Sequence, residues 1–362
     1  MSASTSTPQN ASALETPGGE LSLEIADADD AAAWNTFLTS REDGSFYHLY
    51  EWREINARAL GHESIYLAAR AGDQVVGVLP LTFVTSRLFG RILCSAPFVN
   101  FGGPCAIDEH VARALLQAAK NKAGHLSADY LELRCASALD TDWPVSLRKI
   151  SMTIELQADP DALWNSFTSK HRTNIRRSYK NGLQVRSGHS ELLPTFYALM
   201  EQSWRSLGTP LYARSYFERI LATLSDYTRI FVCYRGEEPI AAAFNGYFNG
   251  TAEGLWAGGT PQARALQANY ALYWEMIQDA CVRGFKRYHL GRSTADSGAE
   301  DFKKKWNATS SQLYWYFYRP GGGEMPALNV DNPKYRLAID IWRRLPLSVT
   351  RVVGPLLARL IP

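Results

Sequence analysis

Apolar and polar positions alternate in short runs along most of this chain, and the runs change period several times. Leu21-Ser-Leu-Glu-Ile25 alternates with period two and predicts a strand; Ala31–Leu38 follows with helical spacing. Ile65-Tyr-Leu-Ala-Ala-Arg-Ala-Gly-Asp-Gln-Val-Val-Gly77 reads as an apolar strand, a Gly/Asp turn and a returning strand, which predicts a hairpin. The same grammar recurs at Ile230-Phe-Val-Cys-Tyr-Arg-Gly-Glu-Glu-Pro-Ile-Ala-Ala242. Each hairpin is followed by a long helical pattern, a glycine and a strand ending in arginine. These are Val111–Ala123, Gly124 and Tyr130-Leu-Glu-Leu-Arg134 in the first case, and Tyr270–Arg283, Gly284 and Tyr288-His-Leu-Gly-Arg292 in the second. Upstream, Ala33-Trp-Asn-Thr-Phe37 echoes Leu163-Trp-Asn-Ser-Phe167. Three matches in one order predict two copies of one α/β (α+β) unit, with a boundary near 148–158.

The expected organisation is a disordered Ser/Thr/Pro/Ala-rich tail over 1–20, a first unit over 21–150, a second over 151–320 and a basic amphipathic tail over 321–362. In that last tail Arg343, Arg344, Arg351 and Arg359 lie among aliphatic residues, with no acid after Asp340. Pro346 and Pro355 are expected to break it into short helices. Residues 334–362 suit either an anionic membrane surface or packing across the two units.

Composition changes this picture little. An apolar fraction of 46% and a charged fraction of 20% are those of a globular chain, and a net charge of +2 excludes a global field for nucleic acid. Five widely spaced cysteines form no disulfide framework or zinc motif, and the seven histidines show no metal spacing, so no metal is expected. The first basic residue is Arg41, and no apolar run approaches the roughly 18–20 residues of a membrane span. The expectation is a reduced, cytoplasmic protein, with peripheral contact at an inner membrane left open by the tail.

Candidate chemistry clusters in the second unit. Lys170, Arg172, Arg176, Arg177, Lys180 and Arg186 occur between Ala162 and Ser190 without one Asp or Glu. Arg172 and Arg176 share a helical face one turn apart, which suits phosphate oxygens, as a solvated helix face would also allow. Further on stand Gly208-Thr-Pro-Leu-Tyr212, Asn269…Tyr273-Trp274, Gly291-Arg-Ser293 and Phe302-Lys-Lys-Lys-Trp306. The first unit carries His48…Trp52, Ser95-Ala-Pro-Phe98 and Gly102-Gly103. By strand alternation Glu253 and Trp256 fall on opposite faces, so at most one lines a cleft.

Together these motifs resemble the FemAB family, in the BioF2-like branch of tandem acetyltransferase-fold (GNAT) proteins, and more narrowly the FemAB-like proteins associated with exosortase/PEP-CTERM systems. The resemblance covers about residues 21–320. It implies two tandem GNAT domains and N-acyl or aminoacyl transfer to an amine of a cell-envelope or exopolysaccharide-related acceptor. The implied co-substrate is acyl-CoA or aminoacyl-tRNA, with no tightly bound cofactor. Lys303 matches the family lysine implicated in stabilising the transferring group. Arg172, Arg176, Tyr212, Asn269, Arg292 and Ser293 are the implied substrate-binding positions.

Two departures bear on mechanism. Related sequences carry a carboxylate where this chain has His289, which makes His289 either a substitute base or a packed strand histidine. The Arg264-Ala-Leu-Gln-Ala-Asn269 segment lacks the glycines that usually cradle a CoA pyrophosphate, and Asn269 is a candidate helix cap. A binding protein without turnover and a membrane-bound accessory protein of polysaccharide synthesis are the rival functional classes.

Overall fold

The computed structural model describes residues 14–16, 19–86, 89–295, 297–323 and 333–361. The first unit runs β1 (Leu14–Thr16), β2 (Gly19–Ile25), α1 (Ala31–Thr39), α2 (Trp52–Ile55), β3 (Glu63–Ala71), β4 (Gln74–Ser86), β5 (Gly90–Ser95), β6 (Cys105–Ala106), α3 (Glu109–His125), β7 (Tyr130–Cys135) and β8 (Val145–Ser146). The second begins with β9 (Lys149–Glu155), α4 (Pro160–Ser166), α5 (Ser169–Lys180), β10 (Leu183–Gly188), α6 (Leu193–Leu207) and α7 (Arg214–Thr223). It continues with β11 (Thr228–Arg235), β12 (Glu238–Phe248), β13 (Thr251–Gly259), α8 (Ala263–Leu266), α9 (Ala268–Val282), β14 (Arg287–Thr294), α10 (Gly298–Lys304) and β15 (Thr309–Gln312). Then come β16 (Tyr314–Tyr318), α11 (Pro333–Arg344) and α12 (Leu347–Ala358).

The repeat is real in three dimensions. One sheet is ordered β1-β2-β3-β4-β5-β7-β16-β8, the other β10-β11-β12-β13-β14-β9-β15. In each, antiparallel strands give way to a parallel pair, β5 with β7 and β13 with β14, joined across a long helix. That helix is held by its sequence. Asp108 caps α3 by accepting from Val111 N, and Val111, Leu115, Ala119 and Ala123 put one apolar stripe on the sheet.

Three expectations need correction. Leu14–Thr16 pairs with Gly19–Leu21, so part of the segment read as a 1–20 tail is strand, and 1–13 and 17–18 lie outside the described residues. The second unit does not end at 320 as a closed body, because β16 crosses to the first sheet and pairs with β7 and β8. Pro355 does not break the C-terminal tail. It sits within α12, and Pro346 precedes that helix.

The two units share one core. Trp34, Phe46, Tyr47 and Trp52 from the first pack with Phe196, Tyr216, Phe217, Phe244 and Trp256 from the second. The C-terminal helices lie over α6: Arg205 Nη1 donates to Leu345 O at 3.0 Å, Arg351 pairs with Glu201 at 2.9 Å, and Trp342 is buried.

Gly246 lets the units approach closely, since a Cβ there would lie 2.6–2.8 Å from ring atoms of Phe46. Gly246→Ala is expected to cost ~1–3 kcal/mol by overpacking. Phe46→Ala removes the clash, so the double variant should be less destabilised than the sum of the singles, read by denaturant unfolding.

Candidate functional site

The parallel pairing of β13 with β14 is short. Thr251, Ala252 and Glu253 pair with Arg287, Tyr288 and His289, and the ladder then stops. Both strands bulge at that level. On β13, Asn245 pairs with Gly254 and Phe244 with Trp256, leaving Leu255 extra; on β14, His289 pairs with Thr153 and Arg292 with Ser151. Gly291 makes the second bulge possible at φ +76, a backbone region that side-chain-bearing residues rarely occupy.

The bulges reset side-chain alternation, which corrects the reading of Glu253 and Trp256. Their partners Gly246 and Phe244 are two apart on β12, so Glu253 and Trp256 share a face. By the same argument His289 and Arg292 share a face.

Where the strands part there is a cavity of about 340 Å³. The bulge segment Gly254–Ala257 and Tyr288, Leu290, Gly291 and Arg292 form its strand walls, while Phe98, Val99 and Asn100 come from the first unit. Tyr212, Trp204, Tyr273 and Lys303 also line it. The corresponding gap in the first unit is closed by its own chain. Gly102 N donates to Arg134 O at 2.7 Å, and Arg134 N to Ser95 Oγ at 2.9 Å.

Lys303 is aimed inward by its neighbours. Ser297 caps α10, Phe302 packs on Tyr270 and Tyr273, and Trp306 is fully buried against Phe167 and His171. Lys303 Nζ donates to Gly291 O at 2.8 Å, Arg292 O at 3.0 Å and Ser293 Oγ at 3.0 Å. Those three bonds use every donor of an ammonium, so Lys303 braces the β14 bulge as well as lining the cavity. Burial pushes its pKa down to about 8. Lys304 pairs with Glu300 at 2.7 Å and is turned away from Lys303's role.

His289 stands behind the wall. Its Nδ1 lies 2.5 Å from Glu253 Oε2, which also accepts from Tyr47 Oη at 2.9 Å. Asn100 Nδ2 donates to Tyr47 Oη at 2.5 Å, so the chain His289–Glu253–Tyr47–Asn100 runs from the second unit to the cavity surface. The His289 ring meets Phe101 edge-on at 5.4 Å. Tyr47 and Asn100 carried no sequence signal, because nothing local reveals that they meet Glu253 across two units.

Of the other expected residues, Tyr212, Arg292 and Ser293 gather at the cavity or at Lys303. Burial pushes the Tyr212 hydroxyl up to about 12, and burial, then Arg134, brings the Arg292 guanidinium down to about 10. Arg172 and Arg176 do not line the cavity. Arg172 Nη1 donates to Asn165 O at 3.1 Å, and Arg176 lies 5.1 Å over the Trp164 ring, so both lean on α4. Asn269 is exposed inside the first turn of α9 and is not its cap, since Gln267, at φ +59, precedes the helix. The short helix α8 occupies the stretch where a glycine turn was sought, and Asn181 Nδ2 donates to Leu266 O at 3.0 Å. Among the described residues no three His, Cys, Asp or Glu side chains are placed to hold a metal, and no helix is long and apolar enough to cross a membrane.

Comparisons with known proteins bear on the fold. Residues 169–304 match the acetyltransferase (GNAT) domain family. No curated protein sequence matches the chain. Among solved structures, FemX is similar at a TM-score of 0.62 and 16% identity, covering 88% of this chain and all of that one. L-PGS from Bacillus licheniformis follows at 0.52 and 16%, covering 96% and 99%. A tandem GNAT protein from the clavulanic acid biosynthesis pathway matches at 0.51 and 11%, covering 84% and 100%. The fold is two tandem GNAT domains of mixed α/β type.

Lys303 gives a testable sign. With a folded pKa near 8 against 10.5 when exposed, the unfolded chain alone holds this proton between those values. Stability should therefore rise with pH across that window. Lys303→Met should abolish this contribution, seen as a rise in wild-type stability relative to the variant between pH 8 and 10.5 by urea titration.

Proposed function

We propose that the chain is an N-acyltransferase that passes an acyl or aminoacyl group to an amine inside the cavity between β13 and β14. The observation carrying this reading is the paired bulge. Past Glu253, β13 has lost its β14 partner, so backbone groups of Gly254–Ala257 edge the cavity with no ladder on that side. Unpaired N–H groups at a bulge are rigid donors for a carbonyl oxygen that gains charge in the tetrahedral intermediate. The amine forms the N–C bond, the C–S bond of a thioester or C–O bond of an ester breaks, and the amine proton leaves with the departing thiolate or alkoxide. Lys303 fixes Gly291 and Arg292 and places positive charge at the rim. The exosortase-linked setting and an envelope or exopolysaccharide amine remain the proposed biological context.

Both acyl-CoA and aminoacyl-tRNA are proposed donors. FemX and L-PGS share the fold, which supports an aminoacyl donor; the GNAT match supports acyl-CoA. Arg172 and Arg176 sit outside the cavity, where a phosphate-bearing donor or acceptor would extend. Asn269 lies exposed at the start of α9 and is assigned to the same ligand.

The test is transfer to a panel of amines with each donor in turn. Turnover with one donor names it, and Lys303→Ala should lower kcat/KM on the order of a hundredfold. Arg172→Ala/Arg176→Ala should raise KM with little change in kcat. No turnover with either donor overturns the enzyme reading. One observation would then favour a binding protein: among the described residues, no carboxylate or imidazole lines the cavity.

The tail adds a proposed location. α11 and α12 bury one side on α6 and expose Leu337, Ile341, Val349, Val352 and Leu356 on the other, with Arg344 and Arg359 also exposed. An apolar face with cationic flanks fits an anionic bilayer surface. The protein should co-sediment with vesicles containing phosphatidylglycerol and not with phosphatidylcholine alone. Val352→Asp/Leu356→Asp, at positions 68% and 57% exposed, should abolish binding without lowering Tm.

A further inference from the structure

The two corresponding arginines of the repeated strands β7 and β14 meet at the junction of the units. Arg134, from β7, lies 4.5 Å from the centroid of the Trp315 ring, and Arg292, from β14, lies 5.5 Å from the same centroid. Trp315 belongs to β16, the strand that crosses between the sheets, and its Cα partner in the ladder is Arg134. Arg134 is 2% exposed and pairs through Nε with Glu132, also 2% exposed, at 2.6 Å.

The charges do not balance. Two guanidinium groups face one carboxylate, and Lys149, whose pKa is lowered by burial and by Arg292, adds a third cation nearby. Arg134 Nη1, Arg292 Nη1 and Trp315 Nε1 are buried and find no hydrogen-bond partner among the described residues. All three are donors. A buried guanidinium N–H without an acceptor is costly, and an excess buried cation more so. The group that satisfies both defects at once is a compact oxyanion, because planar guanidinium donors match carboxylate and phosphate oxygens.

We infer that Arg134, Arg292 and Trp315 form an oxyanion subsite on the wall of the cavity, which binds a carboxylate or phosphate carried by the substrate. Arg292 lines the cavity directly, as does Tyr212, and Arg134 and Trp315 stand behind Arg292. Glu132 then tunes the subsite: it compensates one arginine, leaving the charge of the second, with Lys149 nearby, for the ligand. Assigning the anion to the acceptor or donor rests on the acyl-transfer reading above. The subsite itself is tested by binding and stands or falls without turnover.

The experiment is thermal unfolding of the full chain with inorganic phosphate or acetate, against sodium chloride at matched ionic strength. A Tm rise beyond that in chloride is expected with at least one oxyanion. A response to phosphate assigns a phosphorylated substrate and a response to acetate a carboxylate. Arg292→Gln should weaken apparent binding about ten- to a hundredfold, and Arg292→Lys, which keeps the charge and loses the planar fork, should weaken it while preserving the fold. Glu132→Gln should tighten binding by removing the competing carboxylate. A merely structural role would shift the Tm of these variants without changing their response to oxyanion. The inference is overturned if neither oxyanion exceeds chloride, or if wild type and Arg292→Lys respond alike.

Discussion

Parallel pairing between β13 and β14 lasts for three residues, and the rest of the site depends on where it stops. A parallel ladder holds two strands at a fixed spacing, so no ligand enters while it persists. The extra Leu255 on one strand and the Gly291 turn on the other break the match at the same level. Lys303 keeps it open. Its three bonds hold the Gly291 and Arg292 carbonyls at the bulge and the Ser293 hydroxyl beside them.

An opening of this kind needs rigid surroundings, and the second unit does not supply them alone. The far wall, Phe98–Asn100, belongs to the first unit, and Tyr47 reaches across to Glu253. The shared core of Trp34, Phe46, Phe217 and Trp256 fixes the units as layers of one body, and β16 ties their sheets together covalently. The C-terminal helices seat on α6 from the outer side, with His62 Nε2 placed 2.6 Å from Arg359 O. Removing either unit would therefore expose apolar surface and dismantle the cavity.

Much of this architecture is legible in the chain. The hairpins, the long helices α3 and α9 and the strands ending in Arg134 and Arg292 follow from local period and turn residues, which act within a few positions. Lys303, Tyr212 and Arg292 stand in legible motifs and gather at one cavity. What local pattern does not carry is register. Strict alternation separates Glu253 from Trp256, and one unpaired residue reverses that; a bulge depends on the partner strand, which period-two reading ignores. Tyr47, Asn100 and Trp315 were missed for a related reason. Their partners lie in the other unit, and Trp315 sits on a strand whose sheet could not be inferred from its place in the sequence. Arg172 and Arg176 share a helical face as spacing implies, yet spacing does not say that α4 lies beneath them.

The two copies have diverged in a way that explains why only one is open. In the first, β5 and β7 pair from Ile92 to Cys94 without a bulge, and the following chain folds back so that Gly102 N reaches Arg134 O. A Cβ on Gly102 would lie 2.4 Å from that of Ala96, and one on Gly103 2.7 Å from Cys135 Sγ, so small residues are what let this plug close. The β7 arginine of that copy, Arg134, has its own counter-ion two residues earlier, Glu132. In the second copy the aligned position is Leu290, which lines the cavity, and Arg292 has no carboxylate bonded to it among the described residues. One copy thus neutralises its arginine internally and fills its cleft; the other leaves both for a ligand. The filled copy still contributes to the open one, because Arg134 and Arg292 meet over the same Trp315 ring.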